Sequence, residues 1–579
     1  MTQLYSPTEI IQSGLCIGCG SCVAQNNSSD ARMEFDEYGE IKPKGASEWL
    51  NTKTESFSAT CPFSPTACNE DQLSTELFPT AEKHHTAVGN FKVAHVGHVS
   101  DESLRMQSSS GGMVTWVATE LLRRGLIDGL AHVVSVKDPQ STGHFFEYRI
   151  SRTEAEIREG AKSRYHPVEL SRVLKVVNDV PGRYAVVGTP CLVKAIQLLK
   201  KEIPMYRERI PFTLGLVCGH MKSMRFVESF AWQLDFPLKK IHEVEYRLKD
   251  PNRPAFYYTA MLASTNGDRA SRDWVKLADG DWGAGFFMNS ACNFCDDVVA
   301  ETADMSFGDA WVQPYSLDGR GANVIVNRSN ILGEIISAGI SEGRLTFEEV
   351  DGDFVAKTQQ AGLKQRREGL MYRLAWASKG VQPQKRLEPN TKHLTKGRKL
   401  IYRMRYMTSI WSHRIFWLAR KMHLPKLYIL WAKVAYKVYG KISYHREKLA
   451  VAISGIQSFL YAAMINLTIF IGFKFFGKVN FNISNNMEIS SWSVLAYTAL
   501  LCMLPIPLVL LLQRVTAKSA KVFNGIYMLV LIALIAIPFT LQNVSGPTRL
   551  TLVLLAVSPM YFIWRFFNSS MRKVSLIKI

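Results

Sequence analysis

Tyr184-Ala-Val-Val187-Gly-Thr-Pro-Cys191 is the stretch of sequence that decides the fold. Its first four residues are largely apolar and include two valines, as in a strand that is buried on both faces. Gly, Thr and Pro then end the strand, and the apolar periodicity of residues 191–201 predicts a helix. A buried strand that turns directly into a helix is the basic unit of an α/β domain.

The same alternation extends over residues 90–390. Residues 91–99 and 131–136 have the composition of strands, and residues 112–124 place Val114, Val117 and Leu121 on one face of a helix. Strands that alternate with helices predict an α/β core for this part of the chain. Residues 1–85 are different, because they contain few apolar runs and are rich in Gly, Pro, Ser, Asn and Cys. We therefore expect a small separate module at residues 1–85.

Charge is distributed unevenly along the chain. The formal net charge is +19, yet residues 391–579 carry 25 Lys and Arg against two Glu, so the whole basic excess is C-terminal. It lies beside apolar stretches, where attraction to anionic lipid explains it better than nucleic-acid binding does. Residues 1–7 show neither the basic nor the apolar region of a signal peptide, so we expect a cytoplasmic N-terminal part with reduced thiols.

The C-terminal third predicts a membrane attachment. Residues 391–449 mix bases with Trp and Tyr and suit juxtamembrane helices that lie on lipid, or else a basic linker with solvated helices. Residues 450–579 predict a four-helix transmembrane anchor, and hence an all-α membrane domain. The candidate spans are residues 452–473, 491–513, 523–541 and 549–567. Loop charges then predict a multi-pass protein of the inner membrane, with the N-terminal domains and both termini in the cytoplasm.

The first cysteine set is Cys16-Ile-Gly-Cys19-Gly-Ser-Cys22. Three thiolates at this spacing fit one corner of a 4Fe–4S cluster, and the glycines let the backbone turn around it. Asn26 stands where bacterial ferredoxins have a fourth Cys, but that Cys serves the other cluster of a pair. The sequence therefore predicts a ferredoxin-like module with Cys61 of Cys61-Pro62 as the distant ligand. Cys68 competes for that role, and zinc is the alternative metal.

A second cysteine set follows predicted strands and a loop. Cys191 and Cys218 each follow a strand, and Cys292 and Cys295 form a CxxC loop. From their spacing alone, these four could bind either zinc or a second 4Fe–4S cluster. Ser108-Ser-Ser-Gly-Gly112 precedes a helix, and a helix N-terminus suits a phosphate group or the edge of a flavin.

Six motifs occur in an order that resembles a known family. They are residues 109–122 (SSGGMVTWVATELL), 162–165 (KSRY), 187–191 (VGTPC), 246–250 (YRLKD), 292–295 (CNFC) and 303–311 (ADMSFGDAW). The set resembles the beta-subunit family of coenzyme F420-reducing hydrogenases and dehydrogenases, over about residues 10–390. That family includes chlorophyll-pathway reductases and bacterial proteins found with polysaccharide-synthesis genes. The resemblance implies FAD in an α/β fold beside a 4Fe–4S cluster, and favours a cluster for the second cysteine set.

The resemblance also assigns roles to individual residues. It implies that flavin contacts come from Ser110, Gly111, Gly112, Ser163 and Tyr165. Gly188, Thr189, Pro190 and Cys191 would lie between flavin and cluster. Asp304 and Asp309 would brace the CxxC loop. Leu248 and residues 251–254 depart from the family pattern, so the substrate face and the use of a deazaflavin stay open.

Together these features predict an iron–sulfur flavoprotein oxidoreductase. A flavin exchanges electron pairs and a 4Fe–4S cluster single electrons, so the expected route is donor, first cluster, second cluster, flavin and substrate, or the reverse. The donor would be a ferredoxin or a reduced cofactor, with membrane lipid and a second copy of the chain as further partners. His220 is a candidate proton donor or a structural residue. The alternatives are a membrane-tethered, quinone-linked carrier and a non-catalytic redox sensor or scaffold.

Overall fold

A computed structural model describes residues 3–443, apart from 27–29, 377–379 and 383. Beyond residue 443 it describes only short stretches, of which the longest are 458–469 and 552–564. The chain divides into two compact units, Met1–Tyr439 and Gly440–Ile579.

The first unit begins with a small module of short helices and two-stranded sheets. Its elements are α1 (Pro7–Gln12), α2 (Ser21–Ala24), β1 (Arg32–Phe35), β2 (Ile41–Lys44), α3 (Ser47–Asn51), α4 (Glu55–Thr60), α5 (Glu70–Leu77), β3 (Lys83–His85) and β4 (Gly89–Phe91). β1 pairs with β2 and β3 with β4, both antiparallel. Ile10 and Leu15 of this module share one hydrophobic core with Leu174 and Leu192 of the following domain. The module and that domain therefore fold against each other.

Alternating strands and helices follow, which confirms the predicted α/β core. They are β5 (Val93–Val99), α6 (Glu102–Gln107), α7 (Met113–Arg123), β6 (Gly129–Ser135), α8 (Pro139–Thr142), β7 (Phe146–Ser151), α9 (Glu154–Glu159), α10 (Ser171–Asp179), β8 (Tyr184–Gly188), α11 (Pro190–Glu202), α12 (Pro204–Arg209), β9 (Phe212–Leu216) and α13 (Arg225–Leu234). The fold-deciding stretch thus forms β8 and the start of α11. All five residues of β8 are buried, as its apolar composition requires.

The rest of the first unit adds a second sheet and completes the first. β10 (Glu243–Leu248), β11 (Thr259–Ala263) and β12 (Arg269–Asp273) form an antiparallel sheet of their own. The remaining elements are β13 (Met305–Asp309), β14 (Asn323–Asn327), α14 (Asn330–Ser341), β15 (Leu345–Val350), α15 (Gly352–Thr358), α16 (Gln360–Arg366), α17 (Glu368–Leu374), α18 (Lys396–Lys421) and α19 (Pro425–Ser443).

Eight strands form the central mixed sheet, in the order β15-β5-β14-β13-β9-β8-β6-β7. β13, β9, β8 and β6 are parallel to their neighbours in this series, and β5 runs the same way because β14 is antiparallel to both β5 and β13. The carboxyl ends of five strands consequently lie along one edge. In α/β sheets, ligands bind at this edge.

Helices α18 and α19 pack on the α/β core instead of forming a separate juxtamembrane segment. Tyr402, Phe416 and Tyr428 are fully buried. The Tyr428 hydroxyl donates to the buried carboxylate of Asp279 at 2.9 Å. The boundary expected at residue 390 therefore does not coincide with the end of the compact unit, which extends to residue 439. The aromatic residues that suggested a lipid surface serve partly as core residues.

The second unit was expected to be a four-helix transmembrane anchor. Within the described residues, no helix combines the length and the apolar character needed to cross a bilayer. On this finding the prediction of a multi-pass protein of the inner membrane is wrong. Of the predicted spans, 452–473 and 549–567 are described mainly at residues 458–469 and 552–564, whereas 491–513 and 523–541 lie almost wholly outside the described residues. Between the first two spans the structure describes two short strands, β16 (Asn482–Ser484) and β17 (Met487–Glu488). The buried amide of Asn466 donates to Thr498 Oγ1 at 2.8 Å.

Candidate functional site: two cysteine-lined cavities

The predicted motifs gather at the carboxyl edge of the central sheet. Residues 188–191 join β8 to α11, and Cys218 follows β9. Gly111 comes after α6 in the chain, but its carbonyl accepts the backbone N–H of Val99 at 3.0 Å and so lies beside the end of β5. The sequence placed these residues after strands, and the strand order brings the strand ends together.

The first cysteine set lines one cavity. Cys16, Cys19, Cys22 and Cys61 surround about 380 Å³ of space, and none of the lining residues carries a charged side chain. α4 ends at Thr60, so Cys61 stands at the helix terminus, where its backbone N–H donates to the Phe57 carbonyl. The lining also includes Ile17 and Phe63. The structure thus brings together all four residues of the predicted first ligand set.

Cys68 does not line this cavity. It packs instead against Leu73, Leu77 and Leu198 in a small separate core. The sequence left Cys61 and Cys68 as competitors, because both follow the CxxCxxC run at workable distances. The structure separates them: Cys61 faces the other three cysteines, and Cys68 lies in a different hydrophobic cluster.

Two glycines allow the CxxCxxC run to turn. Gly18 has φ +79°, and a Cβ atom there would lie 2.3 Å from the carbonyl oxygen of Ile41. Gly20 has φ +82°, and a Cβ atom there would lie 2.4 Å from a carboxylate oxygen of Glu169. Both positions require glycine, because they combine left-handed backbone with a close neighbour.

We expect Gly18→Ala to destabilise the module far more than Gly143→Ala. Both glycines are left-handed, but a Cβ at Gly143 meets nothing within 4 Å. Gly143→Ala should therefore lower the free energy of unfolding by only the about 1–2 kcal/mol that a left-handed backbone costs alanine. Gly18→Ala adds a clash between the new Cβ atom and the main chain. Thermal unfolding of the full chain would measure both. Equal melting temperatures for the two variants would contradict the close packing of Gly18 on β2.

The second cysteine set lines a second cavity. Cys191, Cys218, Cys292 and Cys295 surround about 260 Å³ of space. The backbone N–H of Met221 donates to the Cys292 sulfur at 3.3 Å. The CxxC lies on a short 3-10 turn, Ser290–Phe294, and both of its cysteines are buried. Sequence spacing identified these four residues, and the fold brings them to one place.

Burial keeps the thiols of both sets protonated in the absence of a metal. It raises the pKa of Cys19 and Cys295 to about 11 and that of Cys218 to about 12. Burial also raises the pKa of Cys61 and Cys191 above its ordinary value. A buried apolar thiol is inert, and a bound metal is what converts it to a thiolate ligand. In the described part of the chain, no three or more His, Cys, Asp or Glu residues are arranged to hold a single metal ion.

The two cavities share a wall. Ile17 and Phe63 line both cavities, so these side chains alone can separate the first four cysteines from the second four. Ile17 belongs to the CxxCxxC run, and Phe63 follows the Cys61-Pro62 pair. Residues adjacent in sequence to the first ligand set therefore contact the second cavity directly. Nothing in the sequence pattern could reveal this contact, because it depends on how the N-terminal module packs on the core.

Arg366 is a residue of the second cavity that sequence reasoning missed. It is 4% exposed, lines the cavity, and donates to the carbonyls of Gly219 at 2.5 Å and Cys292 at 3.2 Å. Burial disfavours its charge, yet the neighbouring cysteines in their thiolate form, Cys295 first, raise the pKa of Arg366. No sequence signal marks it, since Arg366 and Arg367 are adjacent arginines at the end of α16 and the sequence does not distinguish them.

The predicted flavin residues come from two segments that contact each other. The backbone N–H of Ser163 donates to the Ser109 hydroxyl at 2.7 Å, which joins the Ser-Gly-Gly loop to the 162–165 segment. The loop itself is held by Lys249, whose ammonium group donates to the carbonyls of Ser110, Arg105 and Arg320 at 2.5–2.7 Å. A Cβ at Gly111 would lie 2.8 Å from Asn323 Oδ1.

Three aromatic rings in contact extend from the 162–165 segment toward Cys218. Tyr165 lies against Trp282, with ring centroids 4.8 Å apart, and Trp282 stacks on His220 at 4.1 Å. His220 is two residues after Cys218, is 3% exposed, and has its Nδ1 3.3 Å from Arg405. Trp282 is a second residue that sequence reasoning missed. The remaining predicted contacts, Gly188, Thr189 and Pro190, form the turn before Cys191, and the Thr189 hydroxyl lies 3.4 Å from the Cys191 sulfur.

Asp304 and Asp309 do not brace the CxxC loop, which corrects the role expected for them. Asp304 accepts the backbone N–H and the hydroxyl of Thr213, both at 2.7 Å, and so fixes the start of β9. Asp309 forms a two-bond ion pair with Arg247 at 3.0 and 3.3 Å. The Arg247 guanidinium in turn lies 4.3 Å from the centroid of the Tyr258 ring. Asp304 therefore links two segments of the central sheet, and Asp309 links the central sheet to the small sheet.

Lys249→Met should weaken flavin binding by about tenfold, because three hydrogen bonds from one charged donor hold the Ser110 loop. Retention of flavin during dialysis of the full chain, followed by fluorescence, would measure the change. Lys276→Met is the matched control, because Lys276 is an exposed lysine that follows β12 of the small sheet. Equal retention in both variants would show that Lys249 does not organise a flavin site.

Comparison with known proteins identifies the family. The model of the coenzyme F420 hydrogenase/dehydrogenase beta subunit N-terminus matches residues 94–175, and the model of the C-terminus matches residues 182–353. Residues 94–353 of the chain belong to the coenzyme F420 hydrogenase/dehydrogenase beta subunit family. The resemblance read from the six motifs is thereby confirmed. A separate family of unknown function matches residues 447–570.

Curated relatives of this F420 hydrogenase/dehydrogenase beta-type chain are distant. The coenzyme F420 hydrogenase subunit beta of Methanococcus voltae is 26% identical over 38% of this chain and 76% of its own length. An uncharacterized protein of Methanocaldococcus jannaschii is 24% identical over 60% of this chain and 93% of its own. The coenzyme F420-dependent sulfite reductase of that organism is 22% identical over 52% of this chain and 43% of its own. These relatives support an oxidoreductase in general terms.

A solved structure shows a weaker likeness. One chain of the F420-reducing [NiFe] hydrogenase complex from Methanosarcina barkeri is 17% identical, with a TM-score of 0.41. The match covers 52% of this chain and all of that one.

Proposed function

We propose that this chain is an iron–sulfur flavoprotein oxidoreductase that couples one-electron transfer to two-electron chemistry. The observation that carries the proposal is that eight cysteines converge, four and four, on two cavities with a common wall of Ile17 and Phe63. Two adjacent one-electron centres form a relay. Family membership supports the iron–sulfur flavoprotein class.

The residues of both cavities fit 4Fe–4S clusters. Cys16, Cys19, Cys22 and Cys61 would hold the first cluster; Cys191, Cys218, Cys292 and Cys295 would hold the second. A cubane cluster spreads its four thiolate ligands around an extended body, whereas a single zinc ion draws them to one point. The first cavity is lined by thiols and mostly apolar residues, and the second by thiols, apolar residues, Arg366 and Asp297; four separated thiols in each suit the extended body. When bound, such clusters supply one-electron transfer, and FAD supplies exchange of electron pairs.

The flavin would lie at the carboxyl edge of the sheet. Ser110, Gly111, Gly112, Ser163 and Tyr165 would contact it, and Gly188, Thr189 and Pro190 would lie between it and the second cavity. In support, the Ser109 hydroxyl already joins the loop to Ser163, and the loop precedes the N-terminus of α7, where a phosphate is favoured. Lys249 would hold the loop in place through its three carbonyl partners.

Each part of this chain then has a task in the proposed reaction. The apolar lining of the first cavity excludes water from one centre, and Ile17 and Phe63 keep the two centres apart but adjacent. Tyr165, Trp282 and His220 pack the space between the flavin segment and Cys218. An electron donor, a ferredoxin or a reduced cofactor, would deliver electrons at the N-terminal module, and the substrate would bind at the sheet edge.

Anaerobic reconstitution of the full chain tests the proposal. We expect about eight irons and about eight sulfides per chain, together with about one FAD, and a flavin spectrum over a broad iron–sulfur absorption. Stoichiometric zinc without iron would refute the proposal. Clusters without flavin would instead favour a redox sensor or scaffold over an enzyme.

A further inference from the structure

Two buried cations contact the two cysteine sites in the same way. At the first site, the Lys42 ammonium donates to the carbonyl of Cys16 at 2.6 Å. At the second site, the Arg366 guanidinium donates to the carbonyl of Cys292 at 3.2 Å. Lys42 is 7% exposed and Arg366 is 4% exposed. Each site therefore has one cation bound to the main chain of one of its own cysteines.

The two cations differ in how their charge is balanced. Lys42 forms an ion pair with Glu40 at 2.8 Å, and both side chains are less than a tenth exposed. Arg366 has no carboxylate within 4.0 Å among the described residues, and its hydrogen bonds go to backbone carbonyls of Gly219 and Cys292. The cation at the first site is thus neutralised by a direct ion pair, and the cation at the second site is not.

The position of Arg366 directs that charge at the second site. Of the described residues that line the two cavities, Arg366 alone has a basic side chain, and Asp297 alone has an acidic one. The Asp297 carboxylate accepts the backbone N–H of Glu301 at 3.0 Å and makes no ion pair with Arg366. Little water reaches this region, so the charge of Arg366 is weakly screened.

We propose that Arg366 is a positioning residue that raises the reduction potential of the second cluster above that of the first. The inference rests on the proposed function, since it requires a cluster at each cysteine set. Reduction adds one negative charge to a cluster, and a buried cation beside it stabilises the reduced form. The balanced Lys42–Glu40 pair gives the first cluster no such advantage. Electrons would then move from the N-terminal module toward the flavin edge.

Redox titration of the full, reconstituted chain, monitored by low-temperature EPR, tests this inference. Arg366→Gln should shift the reduction equilibrium of the second cluster by about tenfold toward the oxidised form, or about 59 mV lower for a one-electron couple. Arg366→Lys, which keeps the charge, should restore most of the potential. Arg328→Gln is the matched control, because Arg328 is a buried guanidinium held by backbone carbonyls of Val88, Asn90 and Ala303 that lines neither cavity.

The outcomes separate the inference from the proposed function. An unchanged potential in Arg366→Gln, with about eight irons retained, would overturn the inference and leave the proposed function standing. An equally lowered reduction potential in Arg366→Gln and Arg366→Lys would also overturn the inference, because the loss of hydrogen bonds rather than of charge would then be responsible. Absence of a second cluster from the unmodified chain would refute the proposed function itself. A lowered potential restored by lysine, with no change in Arg328→Gln, supports the inference.

Discussion

Cys191→Ser should halve the iron content of the chain and slow the reduction of its flavin by a reduced ferredoxin about 100-fold. Cys191 lies at the start of α11 and lines the second cavity with Cys218, Cys292 and Cys295. A serine oxygen is a poor replacement for a thiolate at iron, so the second cluster should be lost or reduced in nuclearity. The relay would then be broken between the first cavity and the flavin edge.

Iron analysis and stopped-flow absorbance at the flavin band would measure the two effects. Cys68→Ser makes the same chemical change at a cysteine that lines neither cavity, and it should retain about eight irons and the original rate. Unimpaired flavin reduction in Cys191→Ser would contradict the proposed route, because electrons would then reach the flavin without the second cluster.

Cys61→Ser should remove or convert the first cluster while leaving the second intact. The Cys61 side chain completes the lining of the first cavity, and no other cysteine is available there besides Cys16, Cys19 and Cys22 among the described residues. The second set has its own four cysteines on different elements. Low-temperature EPR should therefore lose the signal of one cluster and keep that of the other.

Cys68 again provides the control for Cys61, and here it also tests the assignment. The two residues are seven positions apart in the sequence, and only the packing of Cys68 against Leu73 and Leu198 excludes it from the cavity. If Cys68→Ser lost the first cluster and Cys61→Ser kept it, the fourth ligand would be wrongly assigned. If both lost it, the fold of the loop rather than ligation would be responsible.

The α/β class of the core was predictable because it depends on local pattern. Residues 184–187 and 131–136 are apolar runs between turn signals, and they became β8 and most of β6 within two residues at either end. The helix expected at 112–124 is α7, Met113–Arg123. The order of the strands was not predictable, because β5 pairs with β14 and β15, more than 220 residues away in the chain.

The cysteines of the site were predictable, while their surroundings were not. Cys16, Cys19 and Cys22 lie within seven residues of one another, so their proximity in the fold can be predicted from the sequence. The shared wall at Ile17 and Phe63, and the cation at Arg366, depend on contacts between distant segments. The packing of residues 391–439 on the core was not predictable for the same reason: bases and aromatics on a helix have the same composition whether the apolar face meets lipid or, as at Tyr428, protein.

EPR of the fully reduced full chain, with spin integration, tests the central claim most directly. The account predicts about two unpaired spins per chain, from two one-electron clusters, and a spectrum broadened by magnetic interaction because the two cavities share Ile17 and Phe63 as a wall. Cys61→Ser and Cys191→Ser should each reduce this to about one spin with an unsplit signal. A single uncoupled spin in the unmodified chain, or none at all, would contradict the existence of two adjacent 4Fe–4S clusters.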